Sequence, residues 1–426
     1  MDNQKIYLPR LIEKVISESM LTNGCVVIEG PKWCGKSTTS EKFAKSIVKL
    51  QRAATFKQYK LLADLGDSNL LVGEKPLLFD EWQKIPELWD YIRNEIDELE
   101  AKGMFLLTGS AKPIEDKERH SGIGRIKKIL MRTMSLWESN ESSGEVSLAE
   151  LFKNTKKISG INPYKLKDIA YFTCRGGFPS AVTEENKDNA LNYAKDYVDT
   201  LLSVDITNVD HIKRNPTRAR AILRSYARAI STSTPITTIL KDIEANYEVE
   251  DIRTVYSYIN AFSKLFVIEE TESWIPKLRS KTTIRTTNTR HFVDPSIATA
   301  VLRANPEDLM NDLNTFGLIF ENLVIRDLKV YANILGGNVF NYRDKEGLET
   351  DAVIHLNKGD WALVEIKLGG ETLINEAADN LKKLSNKIDQ ERMNKPSFLA
   401  IITAADEFAY TREDGIHVIP LACLKS

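Results

Sequence analysis

Histidine and cysteine are scarce in this chain, with five His and four Cys among 426 residues. The cysteines, at 25, 34, 174 and 423, show no metal-ligand spacing, which excludes a zinc module; Cys25, Cys174 and Cys423 lie in apolar stretches typical of buried free thiols. A reducing, cytoplasmic setting is expected. The histidines, at 120, 211, 291, 355 and 417, are equally scattered, and no Ser or Cys nucleophile signature is present. Nor does any stretch approach the roughly 20 apolar residues of a membrane span, and the start MDNQKIYLPR has no apolar signal core. The net charge is only −2, which argues against wholesale coating by nucleic acid while leaving room for a local basic surface. Repeats and low-complexity tracts are absent. At this length a single hydrophobic core stops growing, so about three domains are expected.

What is present begins at Gly30. The run GPKWCGKST fits the G-x-x-x-x-G-K-[ST] pattern through Gly30, Gly35, Lys36 and Ser37. In that pattern backbone N–H groups cradle phosphates, the lysine reaches the β/γ-phosphates and the hydroxyl binds Mg²⁺. The nucleotide-binding set is therefore Gly30, Pro31, Lys32, Trp33, Cys34, Gly35, Lys36, Ser37 and Thr38, with ATP and Mg²⁺ as cofactors. The context agrees: residues 25–29 (CVVIE) read as a buried strand before the loop, and residues 38–50 as a helix after it. A second apolar strand, PLLFDEW, ends in Asp80 and Glu81, where a parallel strand meets the ligand crevice. Asp80 is expected to hold Mg²⁺ with Ser37, and Glu81 to orient or deprotonate the attacking water. A third strand, residues 104–107, runs into Thr108-Gly109-Ser110, which brings a hydroxyl, Thr108 first, to the γ-phosphate.

These segments, together with SGIGRI, resemble a prokaryotic family of AAA-type ATPases that carry a C-terminal domain of unknown function. The family usually has Arg where this chain has Lys32 and Thr where it has Ser37. The resemblance implies that Arg125, in the Gly-Arg pair, is a transition-state or inter-subunit arginine, and hence self-association through the ATPase domain. An Arg-Asp-Ile element of the family falls on Val204-Asp205-Ile206, so its arginine is missing here. A Gly-Gly-Phe-Pro turn at residues 176–179 falls in the region of the ATPase lid, with Arg175 beside it as a group that could approach phosphate.

The ATPase domain with its lid is expected over residues 1–215, with residues 139–160 as a polar surface connection. Helices over 218–230, 235–245 (capped by Thr234) and 251–265, then a strand over 266–270, give a winged helix-turn-helix over 216–298. Its third helix offers Arg253, Tyr256, Ser257, Asn260 and Lys264, and the following ribbon Lys277, Arg279, Lys281, Arg285 and Arg290, a run able to track DNA phosphates.

Residues 299–426 form an α/β unit whose order of Glu321, Asp351, Glu365 and Lys367 resembles the PD-(D/E)XK nuclease-like fold. That chemistry needs acidic oxygens to hold Mg²⁺ at a phosphate, with a lysine to orient water or steady charge. Glu365 and Lys367, two apart on a strand, share a face. If residues 357–359 form a three-residue hairpin loop with Gly359 left-handed, Leu356 pairs with Asp360 and Asp351 lies opposite Glu365, about 5 Å away at Cβ. The expected function is an ATPase that acts on or senses DNA, with a metal-dependent nuclease domain; the alternative is a nucleotide-switched regulatory or defence protein whose last domain is an inactive binding platform.

Overall fold

The structure is a computed structural model and describes residues 6–111, 122–153, 156–210, 212–244, 251–276, 287–388 and 393–426. Five strands, β1 (Cys25–Glu29), β2 (Ser46–Lys49), β3 (Leu77–Asp80), β4 (Phe105–Gly109) and β5 (Ile126–Leu130), make a parallel sheet in the order β2-β3-β4-β1-β5. Strands β1, β3 and β4 are buried throughout, as continuous apolar runs require when both faces are covered. Alternate residues of β1 serve the two faces. Val26 and Ile28 pack with Ile12 and Ile16 of the helix Ile12–Thr22, whereas Cys25 and Val27 pack with Leu88 and Ile92 of the helix Leu88–Leu99.

The helix expected over residues 38–50 is a correction. It spans only Lys36–Glu41, and Ser46–Lys49 is the edge strand β2, registered against Leu77–Asp80. Residues 46–48 (SIV) are a short, partly β-branched apolar run, which periodicity cannot assign and which pairing with β3 decides.

The segment expected as a surface connection is also a correction. Ser139, Ser142, Leu148 and Leu151 are buried, and the segment supplies β6 (Val146–Ser147) and β7 (Ser159–Ile161). Both pair with the far end of the chain. The C-terminal strands are β8 (Gly337–Arg343), β9 (Glu349–Leu356), β10 (Trp361–Lys367), β11 (Leu399–Thr403), β12 (Phe408–Thr411), β13 (His417–Pro420) and β14 (Leu424–Lys425). Strand β6 pairs with β14, and a mixed sheet runs β7-β12-β13-β11-β10-β9-β8. The long helix Leu313–Ile334 precedes β8, and the helix Glu371–Lys387 crosses between the parallel strands β10 and β11.

Between the sheets lie the helices Leu166–Arg175, Pro179–Val182 and Lys187–Thr200, the π-helical turn Leu201–Asp205, and the helices Pro216–Arg228, Ile236–Glu244 and Ile252–Lys264. The strand expected over 266–270 is reduced to two antiparallel bridges, Ile268 with Phe292 and Thr271 with Thr289. One core runs from Leu136 through these helices to Leu424. The boundary drawn at 298/299 therefore falls inside continuous packing: Asn322 of the long helix exchanges two hydrogen bonds with the Phe292 backbone, at 2.7 and 2.9 Å.

Buried and part-buried charges fasten the parallel sheet to the rest. Arg132, just after β5, donates to both oxygens of Glu269, which Lys329 also approaches at 3.3 Å. Burial raises the Glu269 pKa, but the two cations outweigh it and hold the carboxyl well below its usual range. Arg326, 1% exposed in its side chain, lies between Asp294 and Asp327, while Asp327 accepts from the Leu136 N–H at 2.9 Å and Asp294 from the Gly177 N–H at 2.9 Å. The Gly-Gly turn is glycine for a packing reason: a Cβ on Gly177 would stand 2.1 Å from the Met134 carbonyl oxygen.

Candidate nucleotide site and a second acidic cluster

The glycine loop leaves the C-terminal end of β1, where β4 separates β1 from β3, so three strand ends open on one crevice. Gly30 has φ +155°, and a Cβ there would come within 2.1 Å of the Met131 carbonyl oxygen; Gly35 is left-handed at φ +100°. The loop thus demands glycine at both ends, where it leaves the strand and enters the helix. The Lys36 ammonium curls back under the loop and donates to the carbonyls of Gly30 (2.9 Å) and Pro31 (2.7 Å).

Asp80 is 1% exposed and is the hub of the crevice. It accepts from Ser37 Oγ at 2.6 Å, from Thr108 Oγ1 at 2.5 Å and from Gln51 Nε2 at 2.8 Å. Glu81 adopts a left-handed conformation (φ +63°) that turns its side chain away from Asp80; its carboxylate is held by Ser110 Oγ at 2.9 Å and Gln83 Nε2 at 2.5 Å, and its N–H reaches Thr108 Oγ1 at 3.3 Å. Two acids adjacent in sequence are therefore separated in role by their partners. The Ser37 hydroxyl and Asp80 carboxylate offer oxygen donors of the kind Mg²⁺ takes, and their convergence fits that ion.

A cavity of about 820 Å³ lies over the loop, lined by Lys32, Trp33, Gly35, Lys36, Ser37, Thr38 and Glu81, by Tyr7 and Arg10, and from the helical side by Pro179, Ser180, Thr183 and Tyr193. Its size suits a nucleotide-scale ligand. Sequence reasoning missed Gln51 and Gln83, which no motif marks; only the fold brings them to the acids. Pro31 and Cys34 are buried in the loop, Cys34 accepting through its carbonyl from Arg10 at 2.7 Å.

Neither Arg125 nor Arg175 meets the crevice within one chain. Arg125 precedes β5 at the opposite end of the sheet from the loop and pairs with Asp97 at 2.6 Å, so within one chain it does not reach the crevice. Arg175 is buried and forked onto Glu141, Nη2 donating at 2.6 Å, with Nε on the Gly176 carbonyl at 3.0 Å, and it does not line the cavity over the loop.

In the C-terminal sheet the hairpin register is as expected. The Leu356 N–H donates to the Asp360 carbonyl at 2.8 Å, Gly359 is left-handed (φ +95°), and the pairs Trp361–His355 to Val364–Ala352 place Asp351 level with Glu365. The Lys367 ammonium lies between the acids, 2.7 Å from Glu365 and 3.3 Å from Asp351. Asn380 donates to the second Glu365 oxygen at 2.8 Å, and the Ile366 N–H to Asp351 at 2.7 Å. Burial, then the nearby Asp351, raises the Glu365 carboxyl to about 8; burial and the same neighbours push Glu321 well above the carboxylate range, while the two acids raise Lys367. His291 stands 3.7 Å from Glu321, and burial lowers its pKa so that it is neutral. Oxygen donors are plentiful here, yet among the described residues no three His, Cys, Asp or Glu side chains are arranged to hold a metal ion. As it stands, with its ammonium between the acids, this cluster does not fit a bound cation.

On the face expected to meet DNA, Arg253, Tyr256 and Asn260 are exposed, but Ser257 takes a hydrogen bond from Arg214 and Lys264 lies 4.0 Å from Asp210. Arg290 is a correction: it is buried, pairing with Glu270 at 3.0 Å over the Tyr226 ring. Lys277, Arg279, Lys281 and Arg285 lie outside the described residues. All four cysteines are buried and free, and among the described residues no helix is long and apolar enough to cross a membrane.

Comparison with known families matches residues 22–140 to an AAA domain, 166–308 to a domain of unknown function (DUF8612) and 316–424 to another (DUF4143). No curated protein matches the chain. Similar solved structures include a Walker-type ATPase of Pyrococcus abyssi (15% identity, covering 70% of this chain and 97% of that one, TM-score 0.42). Two others are a signal transduction ATPase with a tetratricopeptide repeat sensor from Pyrococcus horikoshii (13%, 78% and 48%, 0.26) and the Aeropyrum pernix ORC1 protein in complex with DNA (11%, 71% and 94%, 0.27). The AAA match coincides with the parallel sheet, the glycine loop and the Asp80 hub, which supports a P-loop ATPase domain over residues 22–140.

Proposed function

We propose that the protein binds and hydrolyses ATP and uses its nucleotide state to act on or sense DNA through its helical and C-terminal parts. The observation that carries the hydrolytic reading is the junction of Ser37, Thr108 and Asp80 beneath Lys36, with Glu81 held alongside. Lys36 meets the β/γ-phosphates, and Ser37 with Asp80 holds Mg²⁺, which supplies charge neutralisation at the transferring phosphoryl group. Glu81, fixed by Ser110 and Gln83, orients the attacking water and takes its proton. Thr108 joins the acids by accepting from the Glu81 N–H while donating to Asp80. Arg125 acts on the site of a second copy, a role that suits its exposed position.

For the C-terminal part, the nuclease-like order of Glu321, Asp351, Glu365 and Lys367 supports metal-dependent phosphodiester cleavage only in a state where the Lys367 ammonium has moved off the acids that hold it here. A second reading, a platform without chemistry, is favoured by the Lys367 ammonium between the acids and the absence of a three-residue metal set among the described residues. One experiment separates them. The purified protein and its Asp351→Ala and Glu365→Ala variants are titrated with Mn²⁺ while melting temperature, nicking of DNA and ATP hydrolysis are followed. A nuclease gives a Mn²⁺-induced shift and nicking in the parent alone, with turnover of ATP intact throughout; equal shifts and no nicking leave the platform.

A further inference from the structure

Lys32, in the glycine loop, has a side chain that is not idle. Its ammonium is 2.6 Å from Asp205 Oδ1, the Lys side chain 41% and the Asp side chain 10% exposed. Asp205 closes the π-helical turn Leu201–Asp205, a rare element often found where a helix must adjust. The next loop residue, Trp33, is left-handed at φ +64°, a strained conformation for a bulky side chain, and its ring stands edge-on to Tyr197 of the preceding helix at 5.7 Å. The outer side of the glycine loop is thus fastened to one helical segment by a charge pair and a ring contact. The inner side fixes where Lys32 emerges: Lys36, which meets the β/γ-phosphates, donates to the carbonyls of Gly30 and Pro31, so the chain passes over that ammonium immediately before Lys32. Lys32 and Lys36 line the same cavity.

We propose that Lys32 is a specificity-determining residue that distinguishes a nucleoside triphosphate from a diphosphate, and that Asp205 competes for the same ammonium. A γ-phosphate draws Lys32 inward by a charge-assisted contact and releases the π turn; a diphosphate, which ends short of Lys32, leaves the pair closed. The inference rests on the nucleotide-site reading, and Lys36 is the control for that.

The test uses the full chain and measures ATP and ADP binding in Mg²⁺ by isothermal titration for the parent, Lys36→Ala, Lys32→Ala, Lys32→Arg, Asp205→Asn and the Lys32→Ala/Asp205→Asn double variant. Asp205→Asn should tighten ATP about three- to tenfold with ADP nearly unchanged, a range set by the partial exposure of the pair. Lys32→Ala should erase most of the preference for ATP, Lys32→Arg should restore it, and the double variant should behave as Lys32→Ala because the competitor has nothing left to hold. Hydrogen exchange over residues 197–208 should be faster with a non-hydrolysable ATP analogue than with ADP in the parent, and equal in Lys32→Ala. Equal shifts for ATP and ADP in both single variants, or additive effects in the double variant, overturn the proposal. If the parent binds neither nucleotide, or Lys36→Ala binds both as the parent does, the site reading itself falls.

Discussion

The two polar clusters are built from the same materials, acids beside a lysine at strand ends, and arrive at opposite states. At the glycine loop, Lys36 is turned onto backbone carbonyls and Asp80 is met by hydroxyls and an amide, so no strong cation sits on the acid. In the C-terminal sheet, Lys367 lies on the carboxylates themselves. The first arrangement leaves an anion-receptive lysine and a cation-receptive acid facing a large cavity. The second satisfies its charges internally, and burial, with Asp351 nearby, raises the carboxyl pKa of Glu365 and Glu321. Proximity of the right residue types is therefore not enough; what each group is bonded to decides whether a site is open to a ligand.

The sharpest way to break the comparison is at the open site. Lys36→Ala should abolish ATP hydrolysis and weaken ATP binding, because the loop loses the ammonium that meets the β/γ-phosphates. Glu81→Gln should bind ATP as the parent does yet turn over roughly 10²- to 10⁴-fold more slowly, the usual contribution of a positioned general base. Phosphate release beside titration calorimetry checks both, and unchanged turnover in Lys36→Ala would remove the assignment.

Next in size is the frame between the sites. Arg326→Met leaves Asp294 and Asp327 buried without their shared cation, which should cost about 3–5 kcal/mol by the usual penalty for breaking a buried pair. Urea unfolding measures it. Gly177→Ala should also destabilise, since its Cβ has no room beside the Met134 carbonyl.

At the closed cluster the expected effect is on pH dependence. Glu365 in the folded chain keeps its proton up to about 8, whereas in the unfolded chain it releases it near 4.5. Between those values the folded state binds more protons, so stability falls as pH rises through the window, by at most about 1.4 kcal/mol per pH unit for one proton. Glu365→Gln removes this contribution and should flatten the curve between pH 5 and 8. An unchanged slope would mean that Lys367 holds Glu365 ionised.

Much of this was legible in the sequence. The glycine loop, the strand ending in Asp80 and Glu81, and the hairpin that sets Asp351 against Glu365 are local patterns, fixed by turn chemistry and by alternation along a strand. What was not legible depends on distant pairing. Residues 46–49 become a strand because β3 offers them an edge, and Val146, Leu148 and Leu151 are buried in a segment to which the last strands of the chain return. The same holds for single side chains: nothing local distinguishes Arg290, held by Glu270, from a basic residue free to meet DNA.

The smallest expected effect concerns that last distinction and separates exposed from enclosed cations on the helical module. Arg253 has a side chain 89% exposed, with Asp251 as a solvated partner, whereas Arg290 is 4% exposed and held by Glu270 and the Thr234 carbonyl. If the module contacts DNA phosphates, Arg253→Ala should weaken binding of any duplex and lower the slope of log affinity against log salt by about 0.9, the value for one released counterion. Replacing Lys277, Arg279 and Lys281 together by Ala should lower it by up to about three times as much. Arg290→Met should leave the slope unchanged and instead lower the melting temperature, because it removes a buried cation that a half-buried carboxylate and a backbone carbonyl hold, rather than one in solvent. Fluorescence anisotropy across a salt series reads the slopes. The parent binding no DNA even at low salt would remove the DNA contact altogether, and a slope change in Arg290→Met equal to that in Arg253→Ala would mean that burial does not decide which cations this module presents.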